Sequence, residues 1–112
     1  MFKLIRDKIP DIFKEAGQVC NYAEVKNDEL FLEVLRAKLI EEVNEFWAAN
    51  NIEELVDIRL VVEALAEAFG YSKEKFDEAY NTKLNMNGGF NNKYIIFLPD
   101  QVKETQKEQS TE

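Results

Sequence analysis

Six carboxylates crowd into one short stretch of chain, IEEVNEFWAANNIEELVD, running from residue 40 to residue 57. Glu42 and Glu45 form one i, i+3 pair, and Glu54 and Asp57 form a second, with Glu41 beside the first. Carboxylates gathered in one place repel one another and lose hydration, so they need a compensating cation. Their oxygens are hard donors that suit magnesium, manganese or calcium. The alternative is an ordinary wet helix face with lysine or arginine partners. No histidine is present, which removes histidine general bases, Ser-His triads and histidine-ligated zinc. Metal chemistry on this chain therefore has to run through oxygen ligands.

The elements around the stretch decide between these options. Asn27 or Asp28 can cap a long helix that runs to about Ala49. Asn50-Asn51 is a turn signal, and a second long helix follows it to Gly70. At ~100° per residue, Arg59, Glu63 and Glu67 fall on one solvent stripe of that second helix. Asp57 lies off the stripe, with Val61, Ala64 and Ala68, and Glu54 sits one turn earlier beside Ile58 and Leu65. On the first helix Glu42 and Glu45 share a side with Phe31, Val34, Leu35, Lys38 and Ala49. The polar side lies near Glu33, Ala37 and Asn44. Folding the two helices into an antiparallel hairpin about Ala49-Asn50 makes Glu45 level with Glu54, and Glu42 level with Asp57. Helices packed ~8–10 Å apart can bring those pairs together.

The rest of the chain supports a helical domain. Pro10 fits a first helical turn and Gly17 a stop. Ser72 caps a further helix that NGG (87–89) ends. VCNYAEV (19–25) and KYIIFL (93–98) read as two short strands. The expected architecture is mainly α, an antiparallel bundle of about four helices with a small two-stranded β element. A single domain is expected over 1–99, with a polar, disordered tail over 100–112.

The totals set outer limits. The chain has 112 residues, 46% hydrophobic, with a net charge of −8. That balance argues against nucleic acid or an anionic membrane as the main partner. An anionic small molecule stays compatible, because a divalent cation inverts the local charge. The lone Cys20 permits no intramolecular disulfide and fits a reducing, cytoplasmic setting. The N-terminal MFKLIRDKIP shows neither a signal peptide nor a membrane span.

Glu41-Glu42-x-x-Glu45 followed by Glu54-x-x-Asp57 resembles the signature of the MazG-like, all-α nucleoside triphosphate pyrophosphatases. KLIRDKIPDI (3–12) and NGGFNNKYIIF (87–97) are similar to the ends of its phosphoribosyl-ATP pyrophosphohydrolase-like subgroup. The resemblance spans roughly residues 3–98. It implies a magnesium-dependent hydrolase (manganese as a substitute) that cleaves between the α and β phosphates of a canonical or modified nucleoside triphosphate. The products are a nucleoside monophosphate and pyrophosphate, as in nucleotide house-cleaning. It further implies Glu42, Glu45, Glu54 and Asp57 as metal ligands, with Glu41 or Glu45 activating the attacking water. Homodimers or homotetramers are implied too, in agreement with the nearly all-round apolar helix LVDIRLVVEALAEAF.

Phosphates also need donors. Lys38 is one turn from Glu42 and either meets a phosphate or forms a salt bridge with Glu42. Lys3, Arg6 and Lys8 form a basic cluster that either holds phosphate or ties the N-terminus to the bundle. Lys83 and Lys93 flank Gly88-Gly89, a pair that either lets backbone N–H groups approach a phosphate or makes a tight turn. Trp47, with Phe46, either stacks on a base or belongs to a core or interface. Two departures from the family stand out. Only eight residues separate Glu45 from Glu54, and Asn87 stands where relatives have a basic residue before the glycine pair. Two other functions fit the same residues: phosphoribosyl-ATP pyrophosphohydrolysis, and a non-catalytic helical interaction module.

Overall fold

The computed structural model describes residues 3–99. The chain is mainly helical, with four helices: α1 (Ile9–Glu15), α2 (Asp28–Ala49), α3 (Ile52–Ala68) and α4 (Lys73–Asn87). The expected tail, 100–112, lies outside the described residues. The chain clusters into two compact units, Met1–Glu78 and Ala79–Glu112.

Within the first unit, local chemistry sets each helix boundary. Pro10 sits in the first turn of α1, where its missing N–H costs nothing. Gly17, at φ 73°, turns the chain out of α1 in a conformation that side chains disfavour. Asn27 caps α2, its Oδ1 accepting from Leu30 N–H at 2.8 Å. Asn51 caps α3 in the same way, accepting from Glu54 N–H at 3.1 Å. Between them Asn50 is left-handed, φ 56°, and its N–H returns to the Phe46 carbonyl at 2.7 Å. Asparagine and aspartate tolerate that region better than most side chain-bearing residues. Ser72 begins α4, its hydroxyl accepting from Lys75 N–H at 3.1 Å.

The turn of Asn50 and Asn51 makes α2 and α3 a helical hairpin, and their mutual packing is the main tertiary contact between elements. Its centre is small. Among the described residues, Leu35 and Val61 are the buried apolar side chains, and Glu42 is the buried charged one. Much apolar surface of the hairpin stays exposed: Ile40, Val43 and Trp47 on α2, and Leu55, Val56 and Leu60 on α3. Arg36 of α2 lies over the Phe69 ring at the end of α3, 5.5 Å from its centroid, a cation–π contact.

The expected β element does not form. Neither 19–25 nor 93–98 is a strand, and no strand occurs among the described residues. A strand needs a ladder partner for its N–H and C=O groups, and alternation of side chains cannot supply one. In the second unit, Tyr94, Ile95, Ile96 and Phe97 are consequently exposed.

Candidate metal centre

The hairpin carries five of the six carboxylates, all but Glu53, into two overlapping groups. Glu42, Glu54 and Asp57 form one, joining α2 to α3; Glu41, Glu42 and Glu45 form the other along α2. Within each group one oxygen per residue lies within 4.8 Å of the others. Opposite ligands of an octahedral magnesium, each ~2.1 Å from it, are ~4.2 Å apart, so oxygens gathered this closely can close on one ion with small side-chain movements. These residue groups can hold a metal ion.

Glu42 is the member common to both groups, and its position is the least ordinary. It is only 5% exposed. Its Oε2 lies 3.3 Å from Lys38 Nζ, while its Oε1 is enclosed with no hydrogen-bond partner. Oε1 of Glu54 is enclosed and unpartnered as well. An unpaired buried carboxylate oxygen is costly, and two in one group mark a place where a cation fits. The donors are all carboxylate oxygens, the chemistry that magnesium and manganese prefer.

The cations foreseen around the site divide clearly. Lys38 Nζ lies 3.6 Å from Glu41 as well as contacting Glu42, so the salt-bridge alternative holds here. Lys3 Nζ is 2.9 Å from Glu41 Oε2, and Arg6 pairs with Asp57. The N-terminal cluster is thus tied to both helices of the hairpin. Lys8 is the exposed N-cap residue of α1 and makes no ion pair among the described residues. Trp47 is 82% exposed near the end of α2 and packs into no core. The Gly88-Gly89 loop, with Gly88 at φ 81°, belongs to the second unit, where residues 87–94 line an open concavity.

Charge tunes the two outer glutamates in opposite senses. A hydrogen bond from Lys3, with the positive charges of Lys38 and Lys3, holds the Glu41 carboxyl below its ordinary value. Partial desolvation, then the negative charges of Glu42, Glu54 and Glu41, raise the Glu45 carboxyl, although that side chain is exposed. Glu45 thus stands at the wet margin of the group, where the helical-wheel reading placed it with Glu42 on the apolar side. Lys3 is raised in turn by its hydrogen bond to Glu41 and by the charge of that residue.

Two contacts escaped the sequence, Lys3 with Glu41 and Arg6 with Asp57. Each spans dozens of residues, and the only signal for either was a basic cluster in an acidic chain. Comparison with known protein families, with characterised proteins and with solved structures finds no match to this chain. The class defined by fold and site is accordingly a mainly α-helical protein whose acidic groups can hold a metal ion. No helix among the described residues is long and apolar enough to cross a membrane.

Proposed function

We propose that the chain is a magnesium-dependent nucleotide pyrophosphohydrolase that releases a nucleoside monophosphate and pyrophosphate. One observation carries the reading: the buried Glu42, with an unpartnered oxygen, facing Glu54 and Asp57 across the hairpin. The signature resemblance gives that acidic group its reaction.

Glu42, Glu54 and Asp57 hold the cation, with Glu45 at the open edge. A divalent cation in this place neutralises phosphate charge and makes water more acidic. Water activation falls to Glu45 or Glu41, the members of the second acidic group that lie outside the Glu42, Glu54 and Asp57 group. Lys3, Arg6 and Lys8 supply positive charge to the phosphates, Lys38 staying in its salt bridges to Glu41 and Glu42, and Trp47 presents an open ring near the hairpin turn to a base. The exposed apolar residues of α2 and α3 favour a homodimer or homotetramer that covers them. The setting that fits a chain with one free cysteine is the cytoplasm.

The test is pyrophosphate release from a panel of canonical and modified nucleoside triphosphates and phosphoribosyl-ATP, with and without magnesium. Magnesium-dependent release from at least one triphosphate is expected. Release from phosphoribosyl-ATP alone would move the chain to the biosynthetic reading. No release, with no magnesium binding by calorimetry, leaves the non-catalytic interaction module.

A further inference from the structure

The segment ahead of α1 reaches the site with two cations. Residues 3–6 have no regular secondary structure. Their one backbone hydrogen bond among the described residues is local, from Ile9 N–H to the Arg6 carbonyl at 3.1 Å. Half-buried Leu4 aside, two ion pairs hold the segment to the hairpin: Lys3 to Glu41 on α2, and Arg6 to Asp57 on α3. Each pair grips a different metal-capable group. The residue common to both groups, Glu42, keeps an enclosed oxygen that neither cation satisfies.

We infer that residues 3–6 form an exchangeable strap, in which Lys3 and Arg6 serve as stand-in counter-ions for the acidic group and yield Glu41 and Asp57 when a divalent cation binds. The inference rests on the metal-dependent reading above. Its physical basis is an asymmetry of fit. An ammonium or guanidinium on an exposed side chain neutralises the outer carboxylates but stays outside the enclosed oxygens. A compact divalent ion at Glu42, the residue both groups share, draws Asp57 of one group and Glu41 of the other away from their strap partners. Both strap cations are more than half exposed, so their pairs are weak ones that a well-coordinated ion displaces. Once released, Lys3 and Arg6 stand at the rim of the site with their charge unspent, where a diphosphate group meets them. The strap thereby couples metal loading to the supply of phosphate donors.

Trypsin reads this exchange, because its S1 pocket must take up the Lys3 or Arg6 side chain and an ion pair withholds that side chain for part of the time. The full chain is digested briefly, with magnesium chloride or with sodium chloride at equal ionic strength, and cleavage at Lys3-Leu4 and Arg6-Asp7 is quantified by mass spectrometry. Magnesium is expected to accelerate both cuts by about twofold to fivefold, the change that losing an exposed ion pair produces. Magnesium pyrophosphate is expected to slow them again. Unchanged cleavage in a chain that calorimetry shows to have bound magnesium overturns the strap and leaves the metal site standing. Absence of magnesium binding overturns both. Fast cleavage that persists with bound pyrophosphate overturns the transfer to phosphate. In calorimetry Arg6→Gln is expected to tighten magnesium binding by about twofold to fivefold. Arg59→Gln, which removes an equal charge from the Glu63-paired stripe of α3, is expected not to. Equal tightening by both variants reduces the effect to general electrostatics and overturns the strap.

Discussion

Lys38 Nζ lies 3.3 Å from Oε2 of Glu42, one helical turn further along α2, and both side chains are largely enclosed. The pair is half of an ion triplet, since Lys38 also contacts Glu41 at 3.6 Å. Removing the lysine leaves Glu42 as a buried carboxylate with neither oxygen partnered by a cation. Lys38→Met should lower the stability of the metal-free protein by about 2–4 kcal/mol, toward the cost of breaking a buried pair. Added magnesium should recover part of it. Urea denaturation in EDTA and in magnesium measures both; equal loss in the two conditions would separate Lys38 from the metal site.

Glu42→Gln should act in the reverse sense. It removes an under-compensated buried charge, so the metal-free protein should gain about 1–2 kcal/mol, or several degrees in Tm. The same variant should lose all stabilisation by magnesium and all pyrophosphate release, with helicity unchanged by circular dichroism. Asp57→Asn should share the loss of activity. Full turnover in either variant would remove that residue from the ligand set.

Glu45 and Glu41 should answer to pH with opposite signs. The folded protein raises Glu45 above its ordinary 4.5, so its charged form weakens the fold at neutral pH. Glu45→Gln should therefore raise Tm at pH 7, and the gain should vanish as pH falls below 4.5. Glu41 is lowered, so its charged form strengthens the fold above 4.5, and this contribution is lost as pH falls through the folded value. Glu41→Gln should lower Tm at pH 7 and matter progressively less in acid. Thermal melts of both variants across pH 3–7 in EDTA provide the comparison; shifts of the same sign would refute the opposed tuning.

Asn50 sets the register of the site from the turn. Its φ of 56° disfavours β-branched residues. Asn50→Val should cost about 1–2 kcal/mol and weaken magnesium binding with it. Asn50→Gly should preserve both. If Asn50→Val binds magnesium with wild-type affinity, the turn does not position the carboxylates.

Trp47 should report self-association. It is exposed on α2 together with Ile40 and Val43. Sedimentation velocity is expected to give a dimer or tetramer, and Trp47→Glu to shift it toward monomer. A wild-type chain that is monomeric at tens of micromolar would refute the proposed oligomer.

The helical frame was legible because its signals are local. Asn27, Asn51 and Ser72 each cap through a hydrogen bond to a residue three positions ahead, so residue type at that position suffices. The facing of Glu42 with Asp57 followed from the two-residue turn and the period of the helix, whereas the expected partner of Glu54 was Glu45 and the structure groups Glu54 with Glu42. Depth was harder to read. Ideal wheel angles put Glu42 and Glu45 on one side, yet Glu42 is buried and Glu45 exposed, because a packed helix covers a narrow strip and Glu45 falls beyond it. The segments 19–25 and 93–98 have strand composition without a ladder, and composition does not encode a partner. The pairing of Lys3 with Glu41 and of Arg6 with Asp57 depends on contacts between distant parts of the chain. No local pattern contains that information.

The two-asparagine turn has a consequence for portability. Because it closes the hairpin so tightly, every carboxylate of the acidic group lies between Glu41 and Asp57, on two helices whose relative phase is set by Asn50 and Asn51. One residue added inside a helix, between the turn and a carboxylate, would rotate that carboxylate by ~100° and carry it out of alignment with its partners across the hairpin. Left intact, the stretch is a self-phased cassette. Its counter-ions lie outside it, so a transplanted stretch would need Lys38, Lys3 and Arg6, or their equivalents, in the host.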